Sequence, residues 1–152
     1  MSTVPVPNPG AAFHDLDDLT LLACCIWGES RGEGDDGKIA VGCVVRNRVN
    51  SGARYGRGWN GCILKPWQFS SFNANDPNSK KLLEPLKHGT EETWEACYRA
   101  AAKVYFGDTD DLSKGAVFYF SRPLIAPPNA WGDVEHTADI GGLHFYREKT
   151  NA

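Results

Sequence analysis

Apolar residues recur with helical spacing in three stretches of the chain. The first stretch, residues 13–30, is predicted to be a helix, and Asp15 is a suitable N-cap for it. Glycines at 32 and 34 are expected to end this helix. Its apolar face is predicted to consist of Leu19, Leu22, Ala23, Ile26 and Trp27.

The other two helical stretches are residues 38–52 and 91–107. Asp35 or Asp36 is the expected cap of the former, and Thr90 that of the latter. Gly42, within the second stretch, predicts a close contact between two helices. The predicted apolar faces are Val41, Val44, Val45 and Val49 in one helix, and Trp94, Cys97, Tyr98, Ala101 and Tyr105 in the other.

The rest of the pattern predicts loops and a small sheet. Residues 52–79 are rich in Gly, Asn and Ser and form a long loop, followed by a short helix over 79–87. Residues 115–121 alternate as in a strand, and residues 136–148 give a glycine turn and a second short strand. We therefore expect a mostly helical α+β fold with a small antiparallel sheet. Residues 1–12 form a flexible arm, and 13–152 one domain.

Composition narrows the classes of partner and compartment. The net charge of −3 argues against nucleic acid as the main partner, and no segment is apolar over the length of a membrane span. The five cysteines contain no Cys-x-x-Cys pair, so we expect reduced thiols. The first residues lack the basic and apolar regions of a signal peptide, so synthesis in the cytoplasm is expected.

Glu29 is the candidate for chemistry. Leu22, Ile26 and Glu29 are spaced i, i+4 and i+7, so the carboxylate continues the apolar face at the C-terminal end of the helix. Desolvation and the negative end of the helix dipole both raise the pKa of such a carboxyl group, as a general acid requires. The alternative is a buried ion pair with Arg31 or with an arginine of the second helix.

Four segments together resemble a known family. The first helix and the motif Trp-Gly-Glu-Ser-Arg-Gly-Glu (27–33), continued by residues 37–49, are similar to the start of the SleB-type cell-wall hydrolase domain. "ILKPWQFSSF" (63–72), "GAVFYF" (115–120) and "IGGLHFY" (140–146) resemble its later blocks. The chain departs from the family at Ser30, and in the last block the histidine is displaced to His144, with Leu143 before it. The resemblance covers about residues 14–147.

The resemblance implies a lysozyme-like fold and cleavage of the β-1,4 bond between N-acetylmuramic acid and N-acetylglucosamine in peptidoglycan. The first glutamate of the motif, Glu29, is then the catalytic acid. A lytic transglycosylase needs this one carboxylate and is favoured. A hydrolytic muramidase is the alternative and needs a second carboxylate. The candidates for that second carboxylate are Glu33, Asp35, Asp36 and Asp76.

Amide, hydroxyl and aromatic groups suit a sugar-binding groove. Gln68, Phe69 and Ser70 are expected on one side of the groove. The predicted opposite wall is Tyr119, Phe120, His144 and Tyr146. Arg31 and Glu33 are candidates for supporting Glu29. The expected partner is the glycan strand of peptidoglycan, bound by a monomer without a cofactor or metal. A phage or prophage endolysin, released to the wall by a holin, is the expected setting.

Three other classes remain as alternatives. A cysteine amidase or peptidase would use Cys24 or Cys25 with His144, although an activated thiolate prefers a helix N-terminus. A zinc amidase would use His136 and His144 with Asp133 or Asp139, whose spacing matches no familiar zinc motif. A non-catalytic wall-binding module would explain the five Trp, five Tyr and seven Phe, but not a glutamate on an apolar helix face.

Overall fold

The computed structural model describes residues 4–65, 68–73, 76, 79–121 and 124–149. These residues form a mostly helical α+β fold with a small antiparallel sheet, as the pattern predicted. No helix among them is both long enough and apolar enough to span a membrane. The helices are α1 (Asp18–Ser30), α2 (Asp35–Val49), α3 (Gly58–Ile63), α4 (Pro85–His88) and α5 (Glu91–Tyr105). The strands are β1 (Phe118–Ser121), β2 (Val134–Ile140) and β3 (Leu143–Glu148), in the order β1-β3-β2.

The core is built around α1, which packs against α5 and α2. Every residue from Leu21 to Trp27 is at most 1% exposed, so α1 is buried on all sides and not along one stripe. A helix that is apolar all round is typical of the centre of a domain. The predicted close contact at Gly42 is confirmed, because a Cβ there would lie 2.9 Å from Val104 Cγ2 and 3.2 Å from Ile26 Cδ1.

The predicted helix caps are correct only in part. Thr90 caps α5 by accepting the Thr93 N–H at 3.1 Å, as expected. Asp15 was the wrong cap for α1, since it lies in a 3₁₀ turn (Phe13–Asp15) and Asp17 accepts the Thr20 N–H instead. The N-cap of α2 is Gly34, and the two aspartates proposed as its cap occupy the first turn.

The sequence also missed elements. Helix α3 lies within the stretch that was predicted to be loop, and the predicted helix over 79–87 is a 3₁₀ turn (Ser79–Leu83) followed by α4. The segment 134–148 contains two strands, joined at Gly141-Gly142, where one was predicted. In α5 the exposed Tyr105 does not extend the apolar face, and Val104 is buried in its place.

Two side chains of α2 hold the start of β1 against the helices. Asn47 Nδ2 donates to the Asp111 carboxylate at 2.8 Å and to the Ala116 carbonyl at 2.9 Å. Arg48 Nε donates to the Val117 carbonyl at 2.7 Å. These bonds fix where β1 enters the sheet, and therefore where the side chain of Tyr119 is placed.

The described part of the predicted N-terminal arm packs on the domain. The Trp94 indole N–H donates to the Pro5 carbonyl at 2.9 Å, and Val4 packs against the core. Pro5 is thus attached to α5 by a specific hydrogen bond, and Val4 is attached to the core by apolar contact.

Candidate active site

Glu29 lies in the last turn of α1, where its partly buried side chain meets groups from two distant parts of the chain. The Tyr119 hydroxyl, on β1, donates a hydrogen bond to Glu29 Oε1. The Ser71 hydroxyl, in the 3₁₀ turn Ser70–Phe72, lies 3.5 Å from Oε2, which is long for an O–H···O bond. Oε1 is therefore firmly held, and Oε2 is only weakly engaged.

The surroundings raise the pKa of Glu29. Burial is the largest cause and disfavours the charged form. The hydrogen bond from Tyr119, the positive charge of Arg48 and the Ser71 hydroxyl each lower the pKa, while the nearby charge of Asp76 raises it again. Because the effect of burial exceeds that of the three stabilising groups, Glu29 favours its protonated form more than an ordinary glutamate.

Arg31 does not form the ion pair with Glu29 that the sequence left open. Its Nη1 donates to the Trp27 carbonyl at 3.2 Å, and its guanidinium lies 4.2 Å above the Trp27 ring. The arginine of the second helix that affects Glu29 is Arg48, which acts on its pKa while bonding to the Val117 carbonyl.

Arg48 is an unusual group for its position. It is 5% exposed, and its guanidinium lies 5.0 Å from the centre of the Phe69 ring. Its Nη1 is buried and has no hydrogen-bond partner among the described residues. A buried guanidinium N–H without a partner is costly, so a group with this arrangement is suited to a ligand that accepts its hydrogen bond.

Glu29 and Arg48 open into a groove of about 500 Å³. Gln68 and Tyr119, both predicted from the sequence, line it together with Phe118. The remaining lining residues are Arg54, Ala130, Trp131 and Glu148. Arg54 and Glu148 of this lining are already paired with each other. Glu148 accepts hydrogen bonds from Arg54 and from the Tyr55 hydroxyl, each at 2.7 Å.

Several predicted groove residues lie elsewhere. Phe69 is 2% exposed and belongs to the core, so its ring has no open face for a sugar. The side chain of Ser70 lies outside the part of the chain that the structure describes. Phe120 packs on Tyr146 and His144 with ring centres 5.5 and 5.1 Å apart. Successive residues of a strand point to opposite faces, so these three lie on the sheet face opposite Tyr119.

Glu33 supports the sheet. Its Oε1 accepts the Gly142 N–H at 3.2 Å, which ties the turn between β2 and β3 to the start of α2. A Cβ at Gly37 would lie 2.8 Å from Glu33 Cβ, and a Cβ at Gly141 would displace the Glu33 carboxylate. The second glutamate of the motif, Glu33, therefore positions the hairpin.

The cysteines do not provide a nucleophile. All five are free and buried. Burial raises the pKa of Cys24 to about 12 and that of Cys25 well above its ordinary value. A thiol that resists ionisation is a poor nucleophile, so the cysteine amidase alternative finds no support at these positions.

Sequence reasoning missed Ser71, which contacts Glu29, and six residues of the groove lining: Arg48, Arg54, Phe118, Ala130, Trp131 and Glu148. Ser71 follows the predicted Ser70 directly in the sequence. Phe118 and Trp131 stack at 4.8 Å with an interplanar angle of 12°. Both belong to the five Trp and seven Phe counted in the sequence, but nothing in the sequence pattern predicted that these two rings contact each other.

Comparisons with known proteins give the family. The profile of the family described as Cell Wall Hydrolase matches residues 32–146. Curated relatives named spore cortex-lytic enzyme include one from Oceanobacillus iheyensis, 38% identical over 119 residues, and one from Bacillus cereus, 31% identical over 127 residues. These matches cover 74% and 79% of this chain but 39% and 43% of the relatives, so the chain corresponds to about two fifths of their length.

Two solved structures are similar over most of the chain. One is the catalytic domain of the germination-specific lytic transglycosylase SleB from Bacillus anthracis, with 25% identity and a TM-score of 0.61, covering 92% of this chain and 98% of that one. The other is the catalytic domain of the Bacillus cereus SleB protein, with 26% identity and a TM-score of 0.64, covering 92% and 94%. The family match over most of the sequence and the shared fold agree: this chain belongs to the Cell Wall Hydrolase family.

Proposed function

We propose that this domain cleaves the β-1,4 bond between N-acetylmuramic acid and N-acetylglucosamine in peptidoglycan, as a lytic transglycosylase in which Glu29 is the only acid and base. The observation that carries the proposal is the carboxyl group of Glu29, held in a groove with a raised pKa and one weakly engaged oxygen. The similar Bacillus anthracis structure, named as a lytic transglycosylase, supports the same reaction class.

In the first step Glu29 acts as the acid. Oε1 stays bonded to the Tyr119 hydroxyl, so the proton resides on Oε2 and passes from there to the glycosidic oxygen. The bond between that oxygen and C1 of the muramic acid breaks, and positive charge develops on the sugar ring. The raised pKa matters here, because only the protonated carboxyl group can donate.

In the second step the Glu29 carboxylate acts as the base. It takes the proton of the 6-hydroxyl of the same muramic acid as that oxygen bonds to C1. The product is a 1,6-anhydro end, and Glu29 is again protonated. Tyr119, Arg48 and Ser71 stabilise the carboxylate while it exists, which is the effect they have on its pKa. No water and no second carboxylate enter the reaction.

Arg48 is proposed to bind the substrate beside Glu29. Arg48 is one of the residues that line this groove, and its guanidinium, whose buried Nη1 has no partner among the described residues, suits a carbonyl or carboxylate oxygen of the glycan, such as an N-acetyl or lactyl group. Gln68 adds amide groups to the same lining, and the stacked Phe118 and Trp131 add apolar surface.

A hydrolytic muramidase is the second candidate, and one observation favours it. Asp76 raises the pKa of Glu29 through its charge, so a second carboxylate lies within electrostatic reach of the acid. Such a carboxylate could activate a water molecule or act as nucleophile. Glu148, also in the groove, is engaged by Arg54 and Tyr55.

Mass spectrometry of digested peptidoglycan tests both candidates. We expect fragments ending in 1,6-anhydro-muramic acid from the wild type and from Asp76→Asn, and none from Glu29→Gln, with circular dichroism showing that the variants fold. Reducing muramic acid ends would support the muramidase instead, and full activity of Glu29→Gln would refute the role of Glu29. Activity that survives EDTA would separate both from a zinc amidase.

We also propose that the domain acts as a phage or prophage endolysin that is released to the wall by a holin. Five free, buried cysteines are consistent with folding in a reducing compartment. Expression in a susceptible bacterium tests this. We expect lysis only when a holin is produced together with the protein, whereas export and lysis without a holin would contradict the proposal.

A further inference from the structure

Three metal-ligand side chains converge on β2 and β3, on the sheet face opposite Tyr119, and none of them lines the groove of Glu29. His136 Nε2 lies 2.6 Å from Asp139 Oδ1, and His144 Nδ1 lies 2.7 Å from the same oxygen. One ligand atom from each residue can be chosen so that all lie within 4.8 Å of one another. Two imidazoles and a carboxylate in so small a space form a donor set that is typical of transition-metal sites.

A β-bulge produces this convergence. His136 and Asp139 are three residues apart, so in a regular strand they would point to opposite faces. The register between β2 and β3 shifts between His136 and Ala138, which returns both side chains to one face. Asp139 then stands opposite His144 on β3, and His136 stands opposite Tyr146. The irregular spacing in the sequence is thus compensated by the backbone.

Aromatic rings hold both imidazoles in place. The His144 ring lies 5.1 Å from Phe120, and the His136 ring lies 5.3 Å from Tyr146, in an edge-on arrangement. Phe120 and Tyr146 stack on each other at 5.5 Å and so form one floor under the pair. Because this floor already restricts both imidazole rings, the ligands lose less conformational entropy when an ion binds. The side chains of His136 and Asp139 are about half exposed, which leaves the remaining coordination positions to water.

We propose that His136, Asp139 and His144 form a binding site for a divalent transition-metal ion of the zinc and nickel class, separate from the groove of Glu29. Imidazole nitrogen favours these ions, whereas magnesium and calcium prefer sites made of oxygen alone. Each histidine coordinates the ion through the ring nitrogen that now contacts Asp139 Oδ1, and the three ligand atoms move apart from these contacts of 2.6 and 2.7 Å to admit the ion between them. By joining β2 to β3, the ion stabilises the hairpin against unfolding.

The test is calorimetric titration of the tag-free, EDTA-treated and desalted protein with Zn²⁺ alone. We expect one ion per chain and an increase in Tm with Zn²⁺. Asp139→Asn and His144→Ala should each weaken binding at least about tenfold, which corresponds to about 1.4 kcal/mol, and should abolish the increase in Tm. Asp139→Asn alters an exposed side chain, so it tests the site even if His144→Ala folds poorly.

The other two histidines of the chain provide the matched control. A double variant, His14→Ala with His88→Ala, removes two exposed imidazoles outside the sheet and should bind Zn²⁺ like the wild type. All five cysteines are buried, so they do not compete for the ion in the folded protein. Absence of saturable binding by the wild type, or equal binding by Asp139→Asn, would overturn the proposal.

Discussion

Removal of the Tyr119 hydroxyl tests whether that group controls the pKa of Glu29. The Tyr119 O–H donates to Glu29 Oε1 and lowers the pKa of Glu29 by stabilising the carboxylate. Tyr119→Phe deletes this donor and keeps the ring, which packs 5.8 Å from Phe145. The carboxylate then loses a partner in a place where burial already disfavours charge. The pKa of Glu29 should therefore rise above its wild-type value.

The expected size of this rise in pKa follows from the strength of a hydrogen bond to a carboxylate. A hydrogen bond to a charged group contributes about 1.5 to 3 kcal/mol, and about 1.4 kcal/mol corresponds to one pH unit. Ser71 and Arg48 remain in the variant, and water can enter the space of the hydroxyl, so we expect the lower end of this range. The alkaline limb of the profile, where Glu29 loses its proton, should move upward by about one pH unit.

The assay is kcat/KM for the clearing of a peptidoglycan suspension, measured across pH at low substrate. The maximum should fall modestly, because Oε1 loses its anchor, while the alkaline limb moves to higher pH. Tyr146→Phe is the matched control, since it removes a hydroxyl from the opposite sheet face and should leave the limb in place. An alkaline limb that is unmoved in Tyr119→Phe, or moved to lower pH, would refute the proposed role of Glu29 as the titrating acid.

Four further variants test the site and the fold. Because burial raises the pKa of Glu29, the folded state loses stability as pH rises from the unfolded-state pKa of this glutamate to its folded-state pKa. Glu29→Gln should therefore have a higher Tm than the wild type near pH 8, by roughly 2 to 4 °C per kcal/mol, and should lose this advantage near pH 4; a difference in Tm between variant and wild type that is the same at both pH values would contradict this. Arg48→Lys removes the planar group that bonds Val117 and should lower kcat/KM about tenfold and reduce Tm, as measured by turbidity and calorimetry. Gly141→Ala and Gly115→Ala both force alanine to positive φ (57° and 86°), at a cost of about 1 to 2 kcal/mol in urea unfolding. Gly141→Ala should cost more, because its Cβ also displaces the Glu33 carboxylate that accepts the Gly142 N–H.

The features that were predictable from sequence are those set by local periodicity. The spacing of Leu22, Ile26 and Glu29 predicted a carboxylate that continues the apolar face of α1, and the side chain of Glu29 is partly buried, although α1 is buried on all sides and not along one face. The contact at Gly42 was predictable because a glycine inside a helix is typical of a close approach between two helices. Helix ends were less certain, because the aspartates at 15, 17 and 18 are chemically equivalent as caps and only the folded chain selects one.

Features that depend on tertiary structure were not predictable. Helix α3 is too short for a period to emerge. The bulge in β2 breaks the alternation that identifies a strand, so only β3 was recognised in that segment. Phe69 is an aromatic residue of the kind that stacks on sugars, but the Arg48 guanidinium lies over its ring and Phe69 is 2% exposed. Whether an aromatic residue lines a groove or fills the core depends on which side chains pack against it in the folded chain.

The acid in this fold is assembled from segments that only the complete chain brings together. Tyr119 is 90 residues from Glu29 in sequence, and Ser71 is 42 residues away. The groups that lower the pKa of Glu29 come from β1, α2 and the 3₁₀ turn, while its burial comes from the helical core. Asn47 and Arg48 join these parts, since both bond the residues that lead into β1. A chain whose helices are folded but whose sheet is detached would keep Glu29 on α1 and lose Tyr119. Such a state would retain the carboxyl group without the environment that makes it an acid and a base, so activity should be lost as soon as the sheet detaches, before the helices unfold.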